Sequence, residues 1–315
     1  MSIKIVKGVD YGLTLYYSYK LPLYRIEPLG NGFIFEKIFG VCKGLRCKFS
    51  RESMETVCEV PQGCEGFADA LLGLDKRAGF ESICRLIGRE KCVSSTITLV
   101  YSPWDAKLVL YTILLSRNTD YFINTVRWFK ELMLRGFIES SSYIPRQVAE
   151  LIPVVEDVFR RHSNALSIAV ELLRIRGIGV KTVTALLLHA YGDTRFAPID
   201  RHYRRFLQKF FNDLREPVKE VCIGLGLDCS KCLYRDRCVY GVARRFGELN
   251  GYIQSLAYLS QRLRIARTEL EHVLVPRGEE LSEALTEVTE EVIEKLVNLY
   301  GSGAEGSGLR PFPTR

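Results

Sequence analysis

The stretch LLRIRGIGVKTVTALLLHAYGDTRFAPIDRHYRRFL, Leu172 to Leu207, constrains this chain more than any other part of it. Two apolar patterns of helical period are joined by Arg176-Gly177-Ile178-Gly179. The first ends near Ile175, and the second starts near Val180 and carries Val183, Leu186, Leu187 and Ala190 on one face. Glycines in so short a turn permit positive φ and close approach of the backbone to a ligand, and the N–H groups that open the second helix point outward without partners. The pattern predicts a helix-hairpin-helix, with a helix N-terminus suited to an anion such as a DNA phosphate.

Lys181 falls in the first turn of that second helix. There the positive end of the helix dipole disfavours an ammonium, which favours an amine nucleophile. Nineteen residues on, after the breaker Ala197-Pro198, Asp200 opens a basic helix carrying His202, Arg204 and Arg205. A hairpin lysine that only contacts phosphate is an equal reading of the residues alone. The pairing of Gly-Ile-Gly-Val-Lys with Pro-Ile-Asp-Arg-His is more specific, and here the chain resembles the helix-hairpin-helix superfamily of DNA glycosylases, including endonuclease III and the 8-oxoguanine DNA glycosylases. The resemblance implies Lys181 as the nucleophile on the sugar C1′ and Asp200 as its acidic partner. It also sets His202, with the hairpin glycines Gly177 and Gly179, near the DNA backbone.

Ten cysteines in a chain without a signal-peptide core argue for metal or buried thiols before disulfides. Cys222-x6-Cys229-x2-Cys232-x5-Cys238 places four thiols within seventeen residues, able to wrap one small inorganic centre. Zinc tetrathiolate is the chemical alternative. The spacing is that of the 4Fe-4S loop of endonuclease III and the adenine glycosylases, so the resemblance implies an iron-sulfur cluster, with Lys231, Arg235 and Arg237 set against DNA phosphates. Cys42, Cys47, Cys58 and Cys64 lack a close Cys-x-x-Cys pair and, like Cys84 and Cys92, read as buried small hydrophobes; a disulfide remains open for a hyperthermophilic source.

The expected fold class is α+β, mostly helical, with an N-terminal antiparallel β domain over residues 1–62. The runs GLTLYYSY, LYRIEPL, GFIFEKIF and GLRCKFS read as its strands. Connecting helices follow over 63–101, a helical domain containing the hairpin over 102–221, the cluster loop over 222–238, C-terminal helices over 239–300 and a Gly/Ser/Pro-rich disordered tail over 301–315. Ser102-Pro103-Trp104-Asp105 reads as a capped helix start, the helix running to about Arg117. A helix from Arg244 to Arg264 after the cluster is a departure from endonuclease III and resembles the 8-oxoguanine glycosylase architecture with a loop inserted before its final helix. In that branch the helix supplies a glutamine to the base edge and an aromatic ring to its face, positions matched by Gln254 and Tyr258. The polar junction Ser116 to Asp120 would supply the side chain that fills the gap left by a flipped base, Asn118 or Arg117, or is an ordinary turn. The family's purine-sensing glycine falls near Leu21 to Arg25, where no glycine stands. The helix Glu279 to Tyr300 carries Leu281, Leu285, Val288, Val292, Leu296 and Leu299 as an apolar stripe, its acidic face set away from DNA.

The formal charge is +7, and residues 279–315 carry a net −5, which leaves +12 on the rest and suits a polyanion. No apolar run has membrane-spanning length. The expectation is therefore a cytoplasmic, nucleoid-associated prokaryotic monomer without membrane contact. It would act on double-stranded DNA containing a damaged or mismatched base, as a base-excision-repair glycosylase with AP lyase activity through a lysine Schiff base. Two readings stay beside it: a monofunctional glycosylase using Asp200-activated water, and a non-enzymatic iron-sulfur DNA-binding protein.

Overall fold

The computed structural model describes residues 1–90, 92–276 and 278–301; the tail beyond lies outside the described residues. An antiparallel sheet of five strands is built from β1 (Ser2–Lys7), β2 (Tyr24–Leu29), β3 (Gly32–Lys37), β4 (Arg46–Ser50) and β5 (Glu55–Val60), in the order β1-β5-β4-β3-β2. Alternation along β3 and β4 turns Phe33, Phe35 and Phe49 inward, where Phe35 and Phe49 meet the ring of Tyr11 and Phe33 packs on Phe49.

Helices then dominate: α1 (Tyr11–Tyr16), α2 (Ala68–Leu72), α3 (Arg77–Leu86), α4 (Ala106–Leu115), α5 (Val126–Arg135), α6 (Tyr143–Arg161), α7 (Ala165–Arg174), α8 (Val180–His189), α9 (Arg201–Phe210), α10 (Lys219–Gly224), α11 (Val239–Arg244), α12 (Asn250–Arg262), α13 (Glu269–Leu274) and α14 (Gly278–Gly301). The apolar α4 is the buried spine, and α6 and α8 pack on it. One ion pair joins spine to sheet: Lys37 Nζ lies 2.8 Å from Asp105 Oδ2, both side chains buried.

Several expectations are corrected. GLTLYYSY is not a strand: its first five residues belong to α1, opened by Asp10, whose Oδ1 accepts the Leu13 N–H at 3.0 Å. Every residue of α1 is buried, and a run that is apolar on both sides carries neither period. Ser102 is not a capping acceptor: its hydroxyl donates to Asp105 at 2.8 Å, and Pro103–Asp105 form a 3-10 turn before α4, which ends at Leu115. The helix expected from Arg244 breaks at Gly247 (φ +56°) and restarts as α12 at Asn250. The stripe of α14 buries Leu285, Val288, Val292 and Leu296 against α12 and α9, while Leu299 is exposed.

The six N-terminal cysteines are not free hydrophobes. They form the disulfides Cys42–Cys64, Cys47–Cys58 and Cys84–Cys92, closing separations of 22, 11 and 8 residues. Loop closure makes each worth about 3 kcal/mol, with the nested first two not additive. Alkylation of the denatured protein without reductant should block only the four remaining cysteines, and after reduction all ten; ten blocked thiols without reductant would contradict the pairing.

Candidate active site

The hairpin brings α7 and α8 together through Gly177, whose φ of +86° requires glycine. Gly179 instead takes the N-cap of α8 with an extended backbone. Arg117 is the brace of this turn: its Nε donates to Leu114 O at 2.9 Å, Nη1 to Gly177 O at 2.7 Å and Nη2 to Gln147 Oε1 at 3.0 Å. The two residues considered for the duplex gap therefore part. Arg117 is engaged in the fold, whereas the neighbouring Asn118 is exposed, in the left-handed region at φ +49°, and lines the cleft described next.

That cleft, of about 680 Å³, is the size of a small-molecule pocket. It is lined by Lys181, Asp200, His202, Gln254 and Tyr258, and its wall also takes Tyr16, Tyr17, Tyr19, Tyr121 and His189. Lys181, in the first turn of α8, is exposed, and among the described residues nothing hydrogen-bonds to its amine. Asp200 caps α9: its Oδ1 accepts the backbone N–H of His202 at 2.9 Å and of Tyr203 at 2.8 Å. The other oxygen, Oδ2, accepts from Gln254 Nε2 at 3.3 Å. One carboxylate oxygen is thus committed to the helix and the second is turned toward the cleft. Gln254 donates to this carboxylate from its amide nitrogen, and its own Oε1 is buried without a partner.

Among buried side-chain atoms lacking a partner, three belong to this cleft: Gln254 Oε1, His202 Nδ1 and His189 Nδ1. Unsatisfied buried polar groups are rare in native proteins, and three of them gather at this cleft. Burial pushes the His202 imidazole below its usual pKa despite the Asp200 carboxylate, so the neutral form is favoured; its ring stands edge-on to Tyr258, centroids 5.8 Å apart. Tyr19 is pushed up to about 12 by burial. The back wall is tied by Arg262, whose Nη2 lies 3.2 Å from Asp120 Oδ2 and 3.0 Å from Glu271 Oε1, an oxygen that also accepts from Tyr16. These wall residues had no motif; their signal was the tyrosine run at Tyr16, Tyr17 and Tyr19, hidden within an apparent strand.

Close approach of α12 to α8 is permitted by Gly251, where a Cβ would lie 2.5 Å from Leu188 Cδ1. It is this packing that delivers Gln254 and Tyr258 to the cleft.

The four remaining cysteines form a second constellation. Cys222, Cys229, Cys232 and Cys238 are free thiols, and all four line one cavity between α10 and α11 with Arg235 and Arg244. Burial and then the neighbouring thiols push Cys222 up to about 12; burial and its neighbours push Cys229 up to about 11 against the opposing pull of Arg244. The Arg244 guanidinium stacks over Phe196 at 4.1 Å and leaves Nη1 buried without a partner. Among the described residues, no three Cys, His, Asp or Glu side chains converge closely enough to hold a single metal ion. Lys231 and Arg235 lie exposed on the same loop, Lys231 3.2 Å from Asp228.

No protein-family model and no curated protein matches the sequence. Solved structures do. The 8-oxoguanine glycosylase/lyase of Clostridium acetobutylicum, in complex with double-stranded DNA containing cytosine opposite 8-oxoguanine, superposes with a TM-score of 0.54 at 12% identity, covering 84% of this chain and 99% of that one. Its apo form gives 0.52 at 10% identity, covering 81% and 95%. This chain has the fold of that enzyme. Among the described residues no helix is long and apolar enough to cross a membrane.

Proposed function

We propose that the protein is a base-excision DNA glycosylase with AP lyase activity, acting on double-stranded DNA that carries a damaged or mismatched base. The observation that carries this reading is the meeting of Lys181 and Asp200 in one cleft with an aromatic, polar-unsatisfied interior, on a fold shared with a glycosylase/lyase.

A target nucleotide must leave the stack before its glycosidic bond can be reached, and extrusion costs a few kcal/mol, least for damaged or mispaired bases. The hairpin N–H groups around Gly177 and Gly179 hold the strand by its phosphates, and Asn118 fills the vacated gap. Lys181 Nζ then bonds to C1′ as the C1′–N bond breaks; the base departs with the bonding pair and is protonated. The proton released from the lysine passes to the Asp200 oxygen that faces the cleft, and the same carboxylate stabilises the cationic sugar. Ring opening gives the Schiff base, and loss of a C2′ proton expels the 3′ phosphate.

The four free thiols fit a 4Fe-4S cluster. They surround a cavity instead of converging on one point, and a buried arginine with an unused donor faces them. When bound, the cluster would supply a cross-link between α10 and α11 that presents Lys231, Arg235 and Arg237 to the DNA backbone; base excision itself needs no electron transfer. Anaerobically purified protein should hold about four irons per chain, and Cys232→Ala should lose iron and visible absorbance together. One zinc per chain in place of iron would contradict the cluster.

The function is tested by incubating the purified protein with duplexes carrying an abasic site, 8-oxoguanine, thymine glycol, uracil or an A·G mismatch. Nicking of the abasic duplex and release of base from at least one lesion are expected. Binding without either product would make the protein a DNA-binding module.

A further inference from the structure

If the cleft holds an extruded base, some group must meet the edge of that base farthest from the sugar. Gln254 is oriented by Asp200, to which its Nε2 donates, and its unpaired Oε1 is one such group. His189 is the deeper one. It is the last residue of α8, eight positions after Lys181, and therefore about 12 Å deeper along the same helix axis. Lys181 is exposed at the mouth, whereas His189 is 1% exposed and lines the buried end. A nucleotide with its C1′ at the lysine would direct its base toward the imidazole. The ring is held there by Tyr19, edge-on at 4.9 Å, and by Tyr17 at 6.1 Å.

Two facts separate His189 from an ordinary core residue. Its Nδ1 is buried and has no partner in the protein, which costs stability unless a ligand answers it. Burial, assisted by the charge of the buried Lys20, pushes its pKa down to about 3, so at neutral pH the ring is uncharged and offers one N–H donor and one bare nitrogen acceptor. The rest of the lining is net positive. Arg262 and Asp120 pair with each other, which leaves Lys181, Arg201 and Arg267 against Asp200. A cationic alkylated base would enter against that field.

We infer that His189 is a specificity-determining residue of this cleft, reading the buried edge of an uncharged extruded base through one hydrogen bond. The inference rests on the glycosylase reading and deepens it: the site takes neutral bases with a polar far edge and rejects positively charged ones.

The test compares wild type, His189→Phe and His189→Asn on three duplexes, carrying 8-oxoguanine opposite cytosine, 7-methylguanine or an abasic site. The quantity read is the ratio of base release to abasic-site nicking, with the thermal midpoint of each variant as a folding control. Wild type should release the uncharged lesion in preference to the cationic one. His189→Phe should lower the ratio by about ten- to a hundredfold, the effect of leaving a substrate polar group unpaired, and His189→Asn should recover part of it. If His189 only fills the core, phenylalanine would raise the midpoint and leave the ratio unchanged, which overturns the inference; preference for 7-methylguanine would overturn it too. Failure of the glycosylase reading looks different, because wild type would then neither nick the abasic duplex nor release any base, and His189 would fall with it.

Discussion

Lys181→Gln is expected to lose base release and abasic-site nicking together, each by on the order of a thousandfold or more, while duplex binding and thermal stability stay near wild type. The reason for the paired loss is chemical. One amine forms the bond to C1′ that both expels the base and holds the sugar for elimination, so no residual route to either product passes through the variant. The reason for the retained stability is structural. Lys181 is exposed, and among the described residues its amine donates to no partner, so its replacement by another long polar side chain falls among surface changes worth less than about 0.5 kcal/mol. A variant that kept nicking while losing binding would return the lysine to phosphate contact alone.

The second large effect belongs to Asp200, and it divides by substitution. Asn retains an oxygen able to accept the His202 and Tyr203 N–H groups but cannot take a proton from the lysine or balance a cationic sugar. Asp200→Asn should therefore slow excision by about 10²- to 10⁴-fold with the midpoint nearly unchanged. Asp200→Ala removes the cap as well, at about 1 kcal/mol, and deprives Gln254 of its acceptor, so its midpoint should fall by a few degrees in addition to the same kinetic loss. Equal destabilisation by both substitutions, with equal and small kinetic effects, would make Asp200 a helix cap and nothing more. Differential scanning fluorimetry alongside single-turnover excision separates the two roles.

How much of this was legible beforehand follows from how local each signal is. The hairpin was legible because Gly177, Gly179 and the apolar faces on either side lie within one short stretch, and α7 and α8 meet there. Asp200 was legible as a helix start for the same reason, Ala197-Pro198 interrupting one pattern before the next begins. The four clustered cysteines announced themselves by spacing and are free thiols around one cavity. What depends on distant pairing was not legible. The three disulfides bring together cysteines with no telling spacing, and the strand β5 was hidden by a mixed apolar and charged run. The helix α1 was misread because burial on all sides erases periodicity. The aromatic interior of the cleft, the Arg262 network and His189 are invisible for a deeper reason: each arrives from a different element, and only packing gives them a common surface.

Covalent capture tests the central claim most directly. The protein is incubated with a duplex carrying an abasic site, sodium borohydride is added, and the adduct is digested and sequenced by mass spectrometry. Reduction fixes only an imine between a protein amine and the sugar, so the expected result is a stable protein–DNA adduct whose modified peptide carries the sugar remnant on Lys181. Free base released from a lesion duplex without any adduct, or an adduct mapped to a different amine, would contradict it, and in the first case would leave water activated by Asp200 as the attacking group.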